Sequence, residues 1–181
     1  ARIADALMEA YSSDRLNGLI ARSADFYGPA ATKTGVPNVL VIEKMIKSGK
    51  SQWLVNADVP HSLTYTTDCG RALPLLVADE SAYNQVWHLP TAHPPITMRH
   101  MMELTAEIVD KPPKISTLSP LMLRLGGMFD SVIRELPEMA YQNDRDYVFD
   151  STKFEKHFSF MPTPYKQGVS ETIQFYRSLG K

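Results

Sequence analysis

The chain has 181 residues, 44% hydrophobic and 22% charged, enough for one domain with a sizeable core. Its formal net charge of -1 supplies no bulk attraction to nucleic acid or to an acidic membrane surface. No apolar run approaches the ~18 to 20 residues of a bilayer span, and a single cysteine, Cys69, allows no internal disulfide.

These totals predict a cytoplasmic protein with neither a membrane nor a nucleic-acid partner. The chain opens in helical rhythm, with Ile3, Ala6, Leu7, Ala10 and Tyr11 on one face. No capping residue precedes that pattern, as a cut through a longer helix would leave it, so a truncated amino terminus is expected. Arg2, Asp5 and Glu9 argue against the apolar core of a signal peptide there.

Asn17-Gly18 predicts a turn and Leu19 to Ala24 a short buried strand, followed by a loop to Val36. Pro37 opens a helix that stops at Gly49. Strands follow at Gln52 to Val55 and Leu63 to Thr66, and Thr67 and Asp68 are good caps for a helix through Ala72, Leu75, Leu76 and Ala78, with a kink or late start at Pro74. Gln85 to Leu89 reads as a strand, Thr97 caps a helix from Met98 to Val109, and Ile115 to Leu118 is a further strand. Pro120 opens a helix interrupted at Gly126-Gly127 and ended near Leu136-Pro137. Tyr147 to Phe149 reads as a strand, and Asp150-Ser151 caps a short helix to Phe158. Pro162 and Pro164 then lead into a last helix containing Val169, Ile173 and Tyr176. Short strands alternating with three-turn helices give the α/β class.

The search for self-contained chemistry is mostly negative. The chain has no G-x-G-x-x-G, Walker A, G-x-S-x-G or H-E-x-x-H motif. Its five histidines never pair at i, i+4, so no metal site is expected. Cys69 follows Asp68, whose negative charge raises a thiol pKa and argues against a nucleophile. One constellation remains, Arg22-Ser23-Ala24-Asp25-Phe26-Tyr27-Gly28-Pro29, where a strand runs into a tight turn. Ligands of open α/β sheets lie at such carboxyl ends. Its plain reading is a strand-to-loop corner with Arg22 on a structural carboxylate. His61 and Asp68 bracket a second strand, and their plain readings are a surface histidine and a helix cap.

Leu19 to Pro29 resembles the L-R-x-x-N-V-Y-G-P segment of the extended short-chain dehydrogenase/reductases, the NAD-dependent epimerase/dehydratase type. His61 to Ala72, H-S-L-T-Y-T-T-D-C-G-R-A, resembles their R-D-F-x-Y-V-x-D-x-A-x-A segment. Val86 to Pro90 looks like the strand that follows, and Phe149 to Phe154, Pro162 and Gly168 to Tyr176 match the closing pattern. The resemblance covers nearly the whole chain, in order.

It implies the carboxy-terminal part of a Rossmann-type NAD(P)-binding fold plus a small, mostly helical substrate-binding lobe. Residues 1–56 would end the Rossmann-type domain (helix, strand, YGP turn, helix, strand), and 57–181 would mix its remainder with the lobe. The dinucleotide-binding half and the catalytic Tyr-x-x-x-Lys would precede Ala1, leaving this chain inactive alone and without a catalytic residue. Position by position, Ser23, Ala24, Tyr27 and Pro29 would border the nicotinamide of NAD or NADP. Asp25 stands for an asparagine that contacts substrate phosphate, and His61 for a phosphate-binding arginine. A carboxylate at Asp25 repels a diphosphate, and an imidazole at His61 does not replace a bidentate guanidinium. The resemblance thus implies an NAD(P)-dependent oxidoreductase, epimerase or dehydratase acting on a hydroxy or keto compound. Leu121, Met122, Met128 and Phe129 would give the substrate apolar surroundings, and Ile3, Leu7 and Ala10 would form a homodimer face. The alternative is a non-catalytic NAD(P)-binding regulatory or interaction protein on the same fold.

Overall fold

A computed structural model of the chain describes residues 2–13, 15–31, 35–119, 121–122 and 142–180. Helix α1 (Arg2–Ser12) leads to two short consecutive strands, β1 (Ile20–Arg22) and β2 (Asp25–Tyr27). A helix over residues 36–48 follows; its middle, Asn38–Glu43, is π-wound and its end is α2 (Lys44–Ser48). Gly49, left-handed at φ 66°, stops it as the sequence predicts. Next come β3 (Lys50–Leu54), β4 (Pro60–His61), β5 (Leu63–Tyr65), α3 (Thr66–Ala78), β6 (Val86–His88), β7 (Ile96–Thr97), α4 (Met98–Val109) and β8 (Lys114–Leu118). The last described helices are α5 (Thr152–Phe158) and α6 (Tyr165–Ser178).

The longer pairings are parallel and therefore need crossovers. β1 lies beside β6 with Ala21 opposite Trp87, β2 beside β5 with Phe26 opposite Thr64, and β3 beside β8 with Trp53 opposite Thr117. Helix α3 makes the crossover from β5 to β6. β4 and β7 form an antiparallel two-residue pair. One chain segment thus changes partner between Arg22 and Asp25, leaving β6 and joining β5.

Two apolar cores hold this arrangement. The larger joins Tyr27, Trp53 and Leu63 to Val41, Ile42 and Met45, to Met98, Met101 and Met102 of α4, and to Val169, Ile173 and Tyr176 of α6. The smaller gathers Ala72, Leu76, Trp87, Leu89, Phe154 and Phe160. Each buried large side chain contributes roughly 1.5–3 kcal/mol. Trp87 also satisfies its indole N–H on the Ala82 carbonyl at 2.8 Å. Among the described residues, no helix is long and apolar enough to cross a membrane.

Several predicted details need correction. Asp25-Phe26-Tyr27 is a strand rather than the start of a turn, because its aromatic residues pair along β5; the turn begins at Gly28. The pair β4–β7 is additional to the predicted strands, since two-residue strands carry no periodicity. Tyr147 to Phe149 makes only an isolated bridge, Tyr147 to His61. Helix α3 starts at Thr66, one residue before the expected caps, and runs through Pro74 on its exposed side. At α5 the first-turn N–H of Thr152 goes to Asp150 Oδ1 at 2.9 Å, while Ser151 donates to Glu155. On α1 only Tyr11 is buried; Leu7 and Ala10 are half-buried and Ile3 is 86% exposed. The helix expected from Pro120 through Gly126-Gly127 to Leu136-Pro137 lies outside the described residues, apart from Leu121 and Met122.

Candidate functional site

The segment that changes sheet partner is the centre of the site. Ser23 and Ala24 lie between the two ladders, and the Ala24 N–H donates sideways to Thr64 Oγ1 at 2.9 Å. Gly28 then turns the chain at φ 133°, a conformation L side chains rarely adopt; a Cβ there would stand 2.2 Å from Thr66 Oγ1. Thr66 in turn donates to the Pro29 carbonyl at 3.1 Å.

The turn is fixed from its other side by Asn38, which is fully buried. Its Oδ1 accepts from the Gly28 N–H at 3.1 Å, and its Nδ2 donates to the Gly28 carbonyl at 2.7 Å and to the Tyr176 hydroxyl at 3.1 Å. One side-chain amide thereby satisfies both backbone groups of Gly28, which a buried glycine requires. Tyr27, just before it, packs against Tyr65 and Tyr165 at centroid distances of 5.2 and 6.0 Å. Its hydroxyl is buried with no hydrogen-bond partner among the described residues, and burial pushes its pKa upward. Burial, reinforced by a 2.5 Å hydrogen bond to Glu171, pushes Tyr65 up to about 12, and burial does the same to Tyr165. A proton-exchanging tyrosine needs the opposite shift, so these three are structural.

Asp25 and His61, 36 residues apart in sequence, meet at 2.8 Å through Asp25 Oδ2 and His61 Nε2. A carboxylate oxygen only accepts, so Nε2 is the donor. His61 is 1% exposed, with its ring between Trp53, edge-on at 5.6 Å, and Tyr147 at 4.8 Å. Its Nδ1 is buried with no partner among the described residues. The Asp25 side chain is 40% exposed, and its second oxygen has no protein partner among the described residues. A fully enclosed imidazole therefore holds a carboxylate whose free oxygen can accept from a ligand hydroxyl.

The predicted site residues sort accordingly. Asp25 and His61 are brought together, and the surface reading of His61 is overturned by its burial in an aromatic slot. Ser23 and Pro29 are half-buried and can touch a ligand directly. Ala24 at 4% and Tyr27 at 1% are enclosed, main chain included, so the surface beside them belongs to Ser23 and Pro29. Asp68 is no helix cap: its buried carboxylate accepts from the Thr163 N–H, the Thr163 hydroxyl and Arg71. The Cys69 thiol pKa is raised by burial, the expected direction from a different cause. Leu121 and Met122 are exposed, and Met128 and Phe129 lie outside the described residues. Sequence reasoning missed Asn38; the signal available was an amide set among the apolar positions Val36, Val41 and Ile42 of a helix start. No group of three or more His, Cys, Asp or Glu among the described residues could hold a metal.

No protein-family model matches this sequence, and no curated protein sequence does. Solved structures do resemble the fold. The UDP-glucose 4-epimerase of Thermus thermophilus, complexed with NAD, superposes with a TM-score of 0.72 at 16% identity, over 98% of this chain and 52% of its own. The UDP-glucose 4-epimerase of Thermotoga maritima with UDP-glucose gives 0.67 at 21%, over 97% and 51%. The UDP-glucuronic acid 4-epimerase of Bacillus cereus, with UDP-glucuronic acid and NAD, gives 0.70 at 14%, over 97% and 50%. The chain thus has the fold of one half of such an enzyme and spans about half the length of each.

Proposed function

We propose that this chain is the substrate-binding half of an NAD(P)-dependent oxidoreductase, epimerase or dehydratase acting on a hydroxy or keto compound. The observation that carries this is the Asp25–His61 pair, set where the chain passes from β1 into β2, ahead of a turn whose backbone is fixed on both sides. Ser23 and Ala24 fit a flat ring laid on the strand, because small side chains permit close approach and Ser23 is half-buried rather than enclosed. A nicotinamide bound there would give or accept hydride. The residues of this chain hold and orient: Ser23 and Pro29 border the ring, and Asp25 accepts a substrate hydroxyl through its free oxygen. His61 keeps that carboxylate in one orientation.

The pair also sets the substrate class. A carboxylate beside a diphosphate adds repulsion, and the missing guanidinium removes a charge-assisted contact of roughly 1.5 to 3 kcal/mol. Together these disfavour nucleoside-diphosphate sugars by about a hundredfold, at about 1.4 kcal/mol per factor of ten. Uncharged hydroxy and keto compounds carry no such penalty.

Titration calorimetry on the cofactor-loaded protein, with this chain joined to its dinucleotide-binding half, tests the reading. UDP- and dTDP-sugars are expected not to bind in the micromolar range to the native protein, and to gain affinity in Asp25→Asn with His61→Arg. Micromolar binding by the native protein overturns the assignment. The 181-residue chain alone is expected to reduce neither NAD nor NADP with any alcohol, and turnover by it would sink the division of labour.

A further inference from the structure

A second site stands at the far end of β3 from Trp53, where β3 and β8 begin. Five lysines, Lys44, Lys47, Lys50, Lys111 and Lys114, lie on or next to the elements that meet there, in a chain whose net charge is -1. Two of them have local employment. Lys47 pairs with Glu43 one helical turn back at 3.0 Å, and Lys111 donates to the Ile46 carbonyl at the end of α2 at 2.8 Å. The other three surround a depression of about 510 Å³ together with Gln52 and Ser116, and no carboxylate lines it among the described residues.

Within that depression Lys50 and Lys114 are direct cross-strand partners, both exposed and neither with an anionic partner among the described residues. Like charges placed directly opposite destabilise a strand pair. Lys44 is half-buried, and its ammonium is held over the depression by the Gln52 amide oxygen, leaving further N–H donors free. Ser116 makes only a 3.5 Å contact to the Ser51 carbonyl, so its hydroxyl is free to turn. Three cations and a hydroxyl thus face one concavity with repulsion unrelieved, and a concave wall concentrates their field.

We propose that this depression binds a small phosphate-bearing anion, bridged between Lys50 and Lys114 and reached by Lys44. The choice of phosphate rests on a lining that presents ammonium groups and, among the described residues, no arginine. A planar carboxylate is best recognised by a guanidinium fork, whereas ammonium groups act as compact point charges suited to a small, highly charged tetrahedral group. The site is separate from the Asp25–His61 pair and stands independently of the reaction assigned to it.

Inorganic pyrophosphate is the probe, titrated into the purified chain at low ionic strength and followed by calorimetry. Saturable binding is expected, weakening at least tenfold between about 20 and about 200 mM sodium chloride (orders of magnitude set by screening). Lys50→Glu is the decisive variant because it moves two readouts in opposite directions. It turns a repulsive cross-strand pair into an attractive one and raises the melting temperature, while lowering pyrophosphate affinity by roughly tenfold or more. Lys114→Gln lowers the affinity less, and Lys166→Gln, on α6 and paired with Glu107, leaves it unchanged. No saturable binding, equal affinity in Lys50→Glu, or citrate bound as tightly as pyrophosphate at matched charge would each overturn the proposal.

Discussion

The Asp68 carboxylate, buried at the start of α3, takes both the N–H and the hydroxyl of Thr163, at 2.6 and 2.8 Å, from 95 residues further along the chain. That pairing ties α3 to the connector between Pro162 and Pro164, and so fixes where α6 enters the larger core. Removing the buried carboxylate takes the charged acceptor from the half-buried Thr163 N–H and hydroxyl together, and hydrogen bonds to a charged group are the stronger kind. Asp68→Ala is therefore expected to lower unfolding free energy by about 3 kcal/mol, read as an earlier urea midpoint with unchanged slope. Thr163→Val, which keeps the N–H donor, should cost less than half as much. Equal midpoints for Asp68→Ala and the native chain would show that the connector is held by packing alone.

Asn38→Ala leaves both backbone groups of Gly28 without their side-chain partner in a buried turn, a loss of roughly 2 to 4 kcal/mol. Asn38→Asp keeps the acceptor but sets a carboxylate against the Gly28 carbonyl, so it should be no better tolerated than alanine. Chemical denaturation ranks the three proteins; an aspartate variant as stable as the native one would contradict the donor role of Nδ2.

The Tyr65–Glu171 bond gives stability a signed pH dependence. The hydrogen bond from Tyr65 holds the Glu171 carboxyl below its ordinary 4.5. Its contribution is thus present above pH 4.5 and lost as pH falls through the lower folded value. Tyr65 is pushed from 10.0 up to about 12, so the protein also loses stability as pH rises from 10 toward 12, where the unfolded phenol ionises first. Tyr65→Phe should cost about 1 kcal/mol at neutral pH and flatten both limbs of a melting-temperature profile. Parallel profiles for variant and native protein would place the dependence elsewhere.

His61 can be divided into its ring and its bond. His61→Phe keeps a flat ring between Trp53 and Tyr147 and should change stability by less than about 1.5 kcal/mol. His61→Ala opens a void and should cost about 2 to 4 kcal/mol. In both, Asp25 is released from its fixed orientation, so hydroxyl-bearing ligands should bind more weakly to either variant. A phenylalanine variant that binds them as the native protein does would remove His61 from the site.

What can be read from the sequence follows a physical line. Thr97 is legible as a cap because the donor its Oγ1 accepts from, the His100 N–H at 3.1 Å, is three residues away; the stop at Gly49 is equally local. Asp25 and His61 both stand out, but their bond does not, since nothing in a linear spacing of 36 residues shows that two strands converge. Phe26 and Tyr27 read as turn approach because their partners on β5 lie about forty residues downstream. Asn38 escapes for the same reason: a buried amide has meaning only once the turn it serves has been placed against it. Local chemistry is visible in the chain, and tertiary pairing is not.

Gly168 meets the Tyr27 ring so closely that a Cβ there would lie 2.5 Å from the hydroxyl oxygen. The first quarter of the chain therefore acquires its final shape only when a glycine near the carboxyl end arrives. During synthesis, residues emerge in order and domains fold as units, so the Tyr27–Pro29 turn remains unsealed until α6 has cleared the ribosome. A nascent chain stalled at Pro164 would hold Tyr27 without the helix that closes over it, and would be open to protease at a place where the finished protein is shut. The Tyr27–Pro29 turn is thus laid down well over a hundred residues before the helix that closes it, and its sealing is among the later events in the folding of this chain.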